Sequence, residues 1–584
     1  MVKSLSIQFI LIFLCFAELL KTDAYYTPYL LILCISVLCT FVNHKSGTFF
    51  KVKEKKDDAW IITTFSLLFM LMITLSNYNI WLQVDVPEYF SDIGRIVYKS
   101  TLLAAISIGS FIAFRNIFIW IKNNTGIIIW KKKENNKNPA LVFIIPFAII
   151  SLINLSILFL SKYPGVLNSD SLSQVKQLLT NKYSNHHPVF HTFLIKVFVS
   201  IGLRFFGEIN AAVALYCVFQ ILFTAACFSL TISTMYRIGV PRIFLILSII
   251  FYSALPMHIM YSFTVWKDVI FALFVLLNIL FLFRCLKKIG NQIFNYFTLF
   301  ISCMGVCLFR SNGFFAFVLT AACFLVLWKF KEKAISAIMI FSIILSFGMK
   351  TVLLDYMKIP SADVIESLSI PAQQISRVII NCDDFTDEEM SLLTQIVDVD
   401  KVPKIYLSWL SDPIKNLVRA CGNQDLIAQN KWQYAKLYIS VGLRHPVWYM
   451  KAWIDQTKGY WNSGYSLYKW SDAVFDNEIG LTRTTVSEQT NNIVEGYMWS
   501  FDTLNGVQPF MSIGFYIWIN LLMLAISIFR RDKTGAISTV LITAIVASLL
   551  IATPVYAELR YIYAVFCTLP SIILIVLRPI EKKE

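Results

Sequence analysis

Long apolar runs, each about 17 to 25 residues, dominate this chain, and a helix of that length crosses about 30 Å of hydrocarbon. They fall near 4–20, 28–43, 60–82, 100–121, 140–161, 209–233, 242–263, 268–284, 293–309, 313–329, 335–354, 511–529, 535–553 and 560–577, about fourteen in all. Inside lipid a backbone must satisfy its own hydrogen bonds, so runs of this kind fold as helices. With 57% hydrophobic and only 15% charged residues among 584, a soluble globule would lack the charge to cover its surface. The expected fold class is an all-α polytopic membrane protein.

The net charge of +15 reads as the cationic bias of cytoplasmic loops and not as a nucleic-acid surface. The first run resembles a signal peptide, but no small-residue cleavage site follows Glu18-Leu19-Leu20-Lys21, so it is kept as a helix. The stretch His191–Arg204 is apolar yet short and interrupted by Lys196 and Arg204. Read as an amphipathic juxtamembrane helix in the outer interface, it leaves the basic loops 45–56, 122–137, 237–242, 284–288, 329–333, 530–533 and 578–583 on one side with Lys3. Both termini are then cytoplasmic, in a bacterial plasma membrane if the abundance of Lys, Asn and Ile reflects an AT-rich genome. Most of the 12 Cys sit inside apolar runs with no CxxC pair, as small buried hydrophobes do. Cys382 and Cys421 lie in a polar region, where they are the pair available for a disulfide.

Four regions follow: leading transmembrane helices at 1–138, a transmembrane core at 139–354 with an outer loop at 162–208, a large extracellular and mainly helical domain at 355–510, and closing transmembrane helices at 511–584. The outer domain carries an acid-rich helix start, Asp383-Asp384-Phe385-Thr386-Asp387-Glu388-Glu389. It also holds Trp409, Trp432, Trp448, Trp453, Trp461, Trp470 and Trp499, whose flat faces suit sugar rings or packing on the membrane. No Walker A loop, HExxH or GxGxxG occurs.

Ionisable groups at the outer boundary are costly unless used, and four places carry them. Asp170 ends Tyr163-Pro164-Gly165-Val166-Leu167-Asn168-Ser169-Asp170, just after a span. The others are Trp266-Lys267-Asp268, Arg310-Ser311-Asn312-Gly313 and Glu558-Leu559-Arg560-Tyr561, each in a very short connection. Lys267, Arg310 and Arg560 are placed to converge on a phosphate, whose departure from a sugar needs its charge neutralised. Asp170 would take the proton of an attacking hydroxyl, with His187, Asp268 and Tyr561 orienting the substrate. The plainer reading makes Asp170 the N-cap of the following helix and the arginines interfacial anchors. His186-His187, without carboxylates at ligand spacing, is weak evidence for zinc.

These motifs, with His187-Pro188-Val189-Phe190-His191 and Gly207-Glu208 between them, resemble the GT-C superfamily of multi-pass glycosyltransferases that use polyprenyl-phosphate-linked sugars, including bacterial enzymes that decorate surface glycopolymers. The similarity runs over roughly 139–578. It implies a GT-C-like helical core, an active site on the extracellular face, Asp170 as catalytic base, a polyprenyl-phosphate-sugar donor and a glycopolymer or lipid-linked acceptor. Metal-dependent relatives pair two acidic residues, whereas Ser169 and Ser171 flank Asp170; a divalent cation would need Asp268 as a second ligand. The competing functions are a polymerase or ligase of lipid-linked polysaccharide and a transporter or flippase for the same lipid.

Overall fold

The computed structural model describes residues 2–19, 29–41, 56–76, 91–124, 139–462, 474–503 and 512–580. Trp470 and most of the basic loops at 45–56 and 122–137 lie outside the described residues, as do the side chain of Lys3 and positions 581–583. The described residues are helical with isolated β-bridges and no strand.

Among the described residues eleven helices are long and apolar enough to cross a membrane, or twelve if a bent pair counts as one span. Three further runs, near 4–20, 28–43 and 511–529, hold the helices Val2–Leu19, Tyr29–Phe41 and Ile513–Phe529, the first two of which border residues outside the described ones. Val189–Phe206, not among the fourteen runs, is long and apolar enough to be counted. The run near 242–263 breaks at Leu255 into Arg242–Ala254 and Pro256–Ser262, bent by 54°.

In chain order the helices that build the core are α1 (Pro139–Leu160), α2 (Ser169–Thr180), α3 (Val189–Phe206), α4 (Ile209–Arg237), α5 (Lys267–Leu286), α6 (Gln292–Phe309), α7 (Ser311–Trp328) and α8 (Lys333–Gly348). Helix α5 is the axis. It is apolar all round, and a helix of that kind must be buried; Val269 to Phe283 are almost entirely inaccessible. Gly313 lets the start of α7 close on it, because a Cβ there would stand 2.3 Å from the Val306 carbonyl and 2.5 Å from the Phe271 ring.

Helix α3 is long and apolar enough to span, so length alone does not exclude it. Its two ends nevertheless lie on one face of the bundle. It follows His187, beside Lys267, and it leads through Gly207 to Asn210, which bonds Thr482. Thr484 in turn pairs with Tyr163, in the loop after α1. A crossing α3 would put these groups at opposite ends. Its exposed Val197, Ile201, Phe205 and Phe206 suit a lipid-facing side. Lys196, expected to reach the headgroups, instead donates to the Tyr183 hydroxyl at 2.6 Å and lies over its ring.

The opposite face collects the cations. Arg237 and Arg284 approach Gly290, and Arg578 forks onto both oxygens of Asp532 at 2.7 and 2.9 Å.

Residues 364–449 have hydrophobic clusters of their own, formed by α9 (Ser369–Asn381), α10 (Asp387–Ile396), α11 (Asp412–Cys421), α12 (Lys431–Arg444) and the start of α13 (Pro446–Trp461). The acid-rich start works as a capping box: Thr386 caps α10 and Glu389 returns a bond to the Thr386 amide. Cys382 and Cys421 are free thiols. Helix α13 descends into the bundle, where Trp453 donates to Leu550 O, Gln456 to Thr553 O, and Trp461 accepts from the indole of Trp518 at its carbonyl. These tryptophans therefore fasten the block to the membrane helices, while Trp432 is 78% exposed.

If α3 begins and ends on one face, a membrane-impermeant maleimide labels Lys182→Cys and Glu208→Cys from the same side. It labels Lys288→Cys from the other, in a background without other accessible cysteines. Opposite labelling of positions 182 and 208 would make α3 a span.

Candidate active site

Asp170 does not cap the helix that it opens, because another residue does. Asn168 accepts the Ser171 amide at 3.2 Å as N-cap of α2, which leaves Asp170 in the first turn with its carboxylate outward. The loop before it is tied to the segment that opens α5. Val166 pairs with Phe263 and Val265 through backbone bonds of 3.0 Å each, and the Ser171 hydroxyl donates to Val265 O at 2.5 Å. Gly165, at φ +131° and against Cys217, makes the tight turn that only glycine adopts readily.

That pairing brings Asp170 to Lys267. The Asp170 Oδ2 accepts from Arg560 Nη1 at 2.8 Å and lies 3.7 Å from Lys267 Nζ. Lys267 donates to His187 Nδ1 at 3.2 Å. The other ring nitrogen of His187 is 3.9 Å from Asp170 Oδ1. Because Nδ1 is an acceptor, a neutral His187 carries its proton on Nε2, facing the carboxylate.

The second acid and the second arginine stand beside this cluster. Asp268 and Arg310 form a very close ion pair through Oδ1 and Nη1. Arg310 Nε donates to Asn312, which itself donates to Ser548. Tyr561 links the two arginines: Arg310 lies 4.7 Å and Arg560 5.2 Å from its ring centroid, and Arg560 also covers Trp266 at 5.2 Å. All seven residues singled out in the sequence, Asp170, His187, Lys267, Asp268, Arg310, Arg560 and Tyr561, therefore meet at one end of the bundle. Arg310 is the one whose place differs in kind, since its charge is already committed to an almost fully buried carboxylate. The Asp268 Oδ2 and the Trp266 indole nitrogen are buried with no hydrogen-bond partner among the described residues.

Burial would raise the Asp170 carboxyl, but the surrounding Lys267, Arg560 and His187 hold it down, from an ordinary 3.8 to about 2. Burial lowers His187, and neighbouring Lys267 lowers it further against the pull of Asp170, from 6.5 to about 4. Asp170 is thus ionised and His187 neutral at pH 7.

Sequence reasoning missed the frame beneath the cluster. Gln220, fully buried in α4, donates to the carbonyls of Tyr261, Ser262 and Thr264 at 2.8 to 3.1 Å. It accepts from the Tyr216 hydroxyl, which also meets His191 at 2.8 Å; His191 continues to Gln174 at 3.0 Å. A single glutamine in the apolar run Val218-Phe219-Gln220-Ile221-Leu222 was the available signal, because a lone polar group in a span needs buried partners.

The outer block holds the extended stretch on the other side of the site. Ser411 N donates to Pro554 O and Tyr556 N to Trp409 O, at 2.9 and 3.0 Å, while Tyr460 hydroxyl donates to Val555 O and accepts from the Glu558 amide. These bonds fix the extended stretch that delivers Arg560.

A family model covers residues 178–584 of the chain, described as a family of unknown function, DUF6020. The chain belongs to this family. The matched stretch takes in His187, Lys267, Asp268, Arg310, Arg560 and Tyr561 and begins just after Asp170. No curated protein and no solved structure matches this DUF6020 chain.

Two outcomes follow. Folding lowers the Asp170 value, so its stabilisation is complete above the unfolded value near pH 4 and is lost as pH falls through about 2. Asp170→Asn should lose about 2 kcal/mol at pH 7, read as a lower thermal unfolding midpoint, and the gap from wild type should close between pH 4 and pH 2. Gln220→Leu removes the side-chain donor from the Tyr261 and Ser262 carbonyls and one of two donors from that of Thr264, and should cost about 2 kcal/mol or more, measured the same way.

Proposed function

We propose that this protein is a membrane glycosyltransferase that moves a sugar from a polyprenyl-phosphate donor to a hydroxyl of a glycopolymer or lipid-linked acceptor. The acceptor oxygen bonds the anomeric carbon as the carbon–oxygen bond to phosphate breaks, so the configuration inverts. Asp170 receives the hydroxyl proton. The electron pair departs on the phosphate oxygen, whose charge Lys267 and Arg560 neutralise. Arg310 acts one layer behind, through Tyr561 and Asp268, and His187 holds Lys267.

The observation that carries this reading is that Asp170 shares its cations: Arg560 at 2.8 Å and Lys267 at 3.7 Å. A carboxylate held near pKa 2 is a poor base at neutral pH, because efficient proton transfer wants a value closer to the operating pH. A bound donor phosphate draws the same two cations toward itself. The carboxylate then loses part of its compensation and its proton affinity rises, so the base is activated only where a leaving group is in place. Asp170 and Asp268 each already face a guanidinium, and the chemistry is written without a metal ion.

Orientation supports an extracellular site with cytoplasmic termini. Arg237, Arg284, Arg530 and Arg578 gather at the end of the bundle away from Asp170, as loops on the cytoplasmic side do. The block at 355–510 would receive the acceptor, since its chain is bonded to both stretches, 163–167 and 553–558, that frame the cluster.

The test is transfer from radiolabelled polyprenyl-phosphate sugars to candidate acceptors by the purified protein. Asp170→Asn should lower turnover by about 10²- to 10⁴-fold, yet bind polyprenyl phosphate more tightly than wild type, because the competing carboxylate is gone. Near-normal turnover by that variant removes Asp170 from the mechanism.

A further inference from the structure

The outer block carries a second constellation, distant in role from the boundary cluster. Cys382 closes the C-terminus of α9, Asp384 follows it, and His445 joins α12 to α13. The Cys382 Sγ is 3.6 Å from His445 Nδ1, and Asp384 Oδ1 is 2.9 Å from His445 Nε2. Among the described residues no other group of three metal-ligating side chains is gathered this closely, all within 4.8 Å of one another.

A thiol, an imidazole and a carboxylate in line also describe a nucleophile, its base and an orienting acid. The local field opposes that use. Cys382 stands at a helix C-terminus, where the backbone carbonyls carry negative partial charge, and it is followed by Asp383 and Asp384. A nucleophilic cysteine needs an electropositive site, whereas this field attracts a cation, and a bound cation keeps a thiol deprotonated.

The distances suit an ion. A tetrahedral zinc with bonds of about 2.3 Å to sulfur and about 2.0 Å to nitrogen holds the two donor atoms roughly 3.6 Å apart. A carboxylate at the remote ring nitrogen is what orients a ligating histidine, and the Asp384 carboxylate lies 2.9 Å from Nε2, within reach although not aligned for a hydrogen bond. We propose that Cys382 and His445, the latter oriented by Asp384, bind a borderline divalent transition metal, Zn²⁺ foremost, on the outer block, with water filling the remaining positions. With Asp384 57% exposed, ions reach the site from solvent. Binding would clip the end of α9 to the α12–α13 corner, and α13 also carries Tyr460, which bonds the 553–558 stretch.

The test uses the full-length protein in detergent, stripped with chelator and titrated with Co²⁺, and does not read sugar transfer. Wild type should take up a single equivalent with a near-ultraviolet thiolate-to-cobalt charge-transfer band that Zn²⁺ abolishes. Cys382→Ser should lose the band, and Asp384→Asn, an exposed change that leaves packing intact, should bind about 10- to 100-fold more weakly. Thermal unfolding in chelator confirms that each variant is folded. Absence of the band in wild type, its persistence in Cys382→Ser, or unchanged affinity in Asp384→Asn overturns the proposal.

Discussion

Charged groups next to hydrocarbon must find partners, and that requirement organises this protein. Helix α5 is apolar on every side and sits at the centre of the bundle, so its first two residues, Lys267 and Asp268, emerge at one end of the core with little water around them. Each recruits opposite charge from far along the chain: Asp170 lies near Lys267, and Arg310 closes on Asp268. Arg560 completes the set by bonding Asp170. Removing any one leaves a poorly solvated charge uncompensated, which costs more than the pair itself contributes.

The same economy explains why the site is framed by buried polar side chains. The end of the short helix Pro256–Ser262 and the residues after it to Thr264 have no continuous backbone ladder of their own, so Gln220 supplies donors to Tyr261, Ser262 and Thr264. Tyr216, His191 and Gln174 extend that support to the start of α2 and α3. The 553–558 stretch is handled differently, from outside, by Trp409, Ser411 and Tyr460 of the outer block. A rigid inner wall and a wall supplied by a separate helical block thus face each other across Asp170. Motion of the block would shift Arg560 relative to Lys267, and so change how Asp170 is compensated.

Much of the plan was legible from residue order. Apolar runs located the helices of the core, the acids from Asp383 to Glu389 announced a helix start, and short charged connections marked the boundary residues. At 189–206 apolarity alone does not say whether a helix crosses, and the partners at its two ends carry that distinction. Arg310 was legible as a boundary cation but not as the partner of Asp268, because their pairing depends on how α6 and α7 close on α5 at Gly313. The capping role suggested for Asp170 passes to Asn168, two residues earlier, a matter of where the first turn of α2 begins.

By itself the sequence determined the class of protein, the positions of most spans and the set of ionisable residues held near one surface, because these follow from hydropathy and from the cost of charge in lipid. Only the tertiary structure decided which acid meets which base, that α3 returns to the face it leaves, and that Cys382 and His445 come together. Pairing of that kind depends on contacts between segments tens to hundreds of residues apart, and neither periodicity nor composition encodes the packing that creates them.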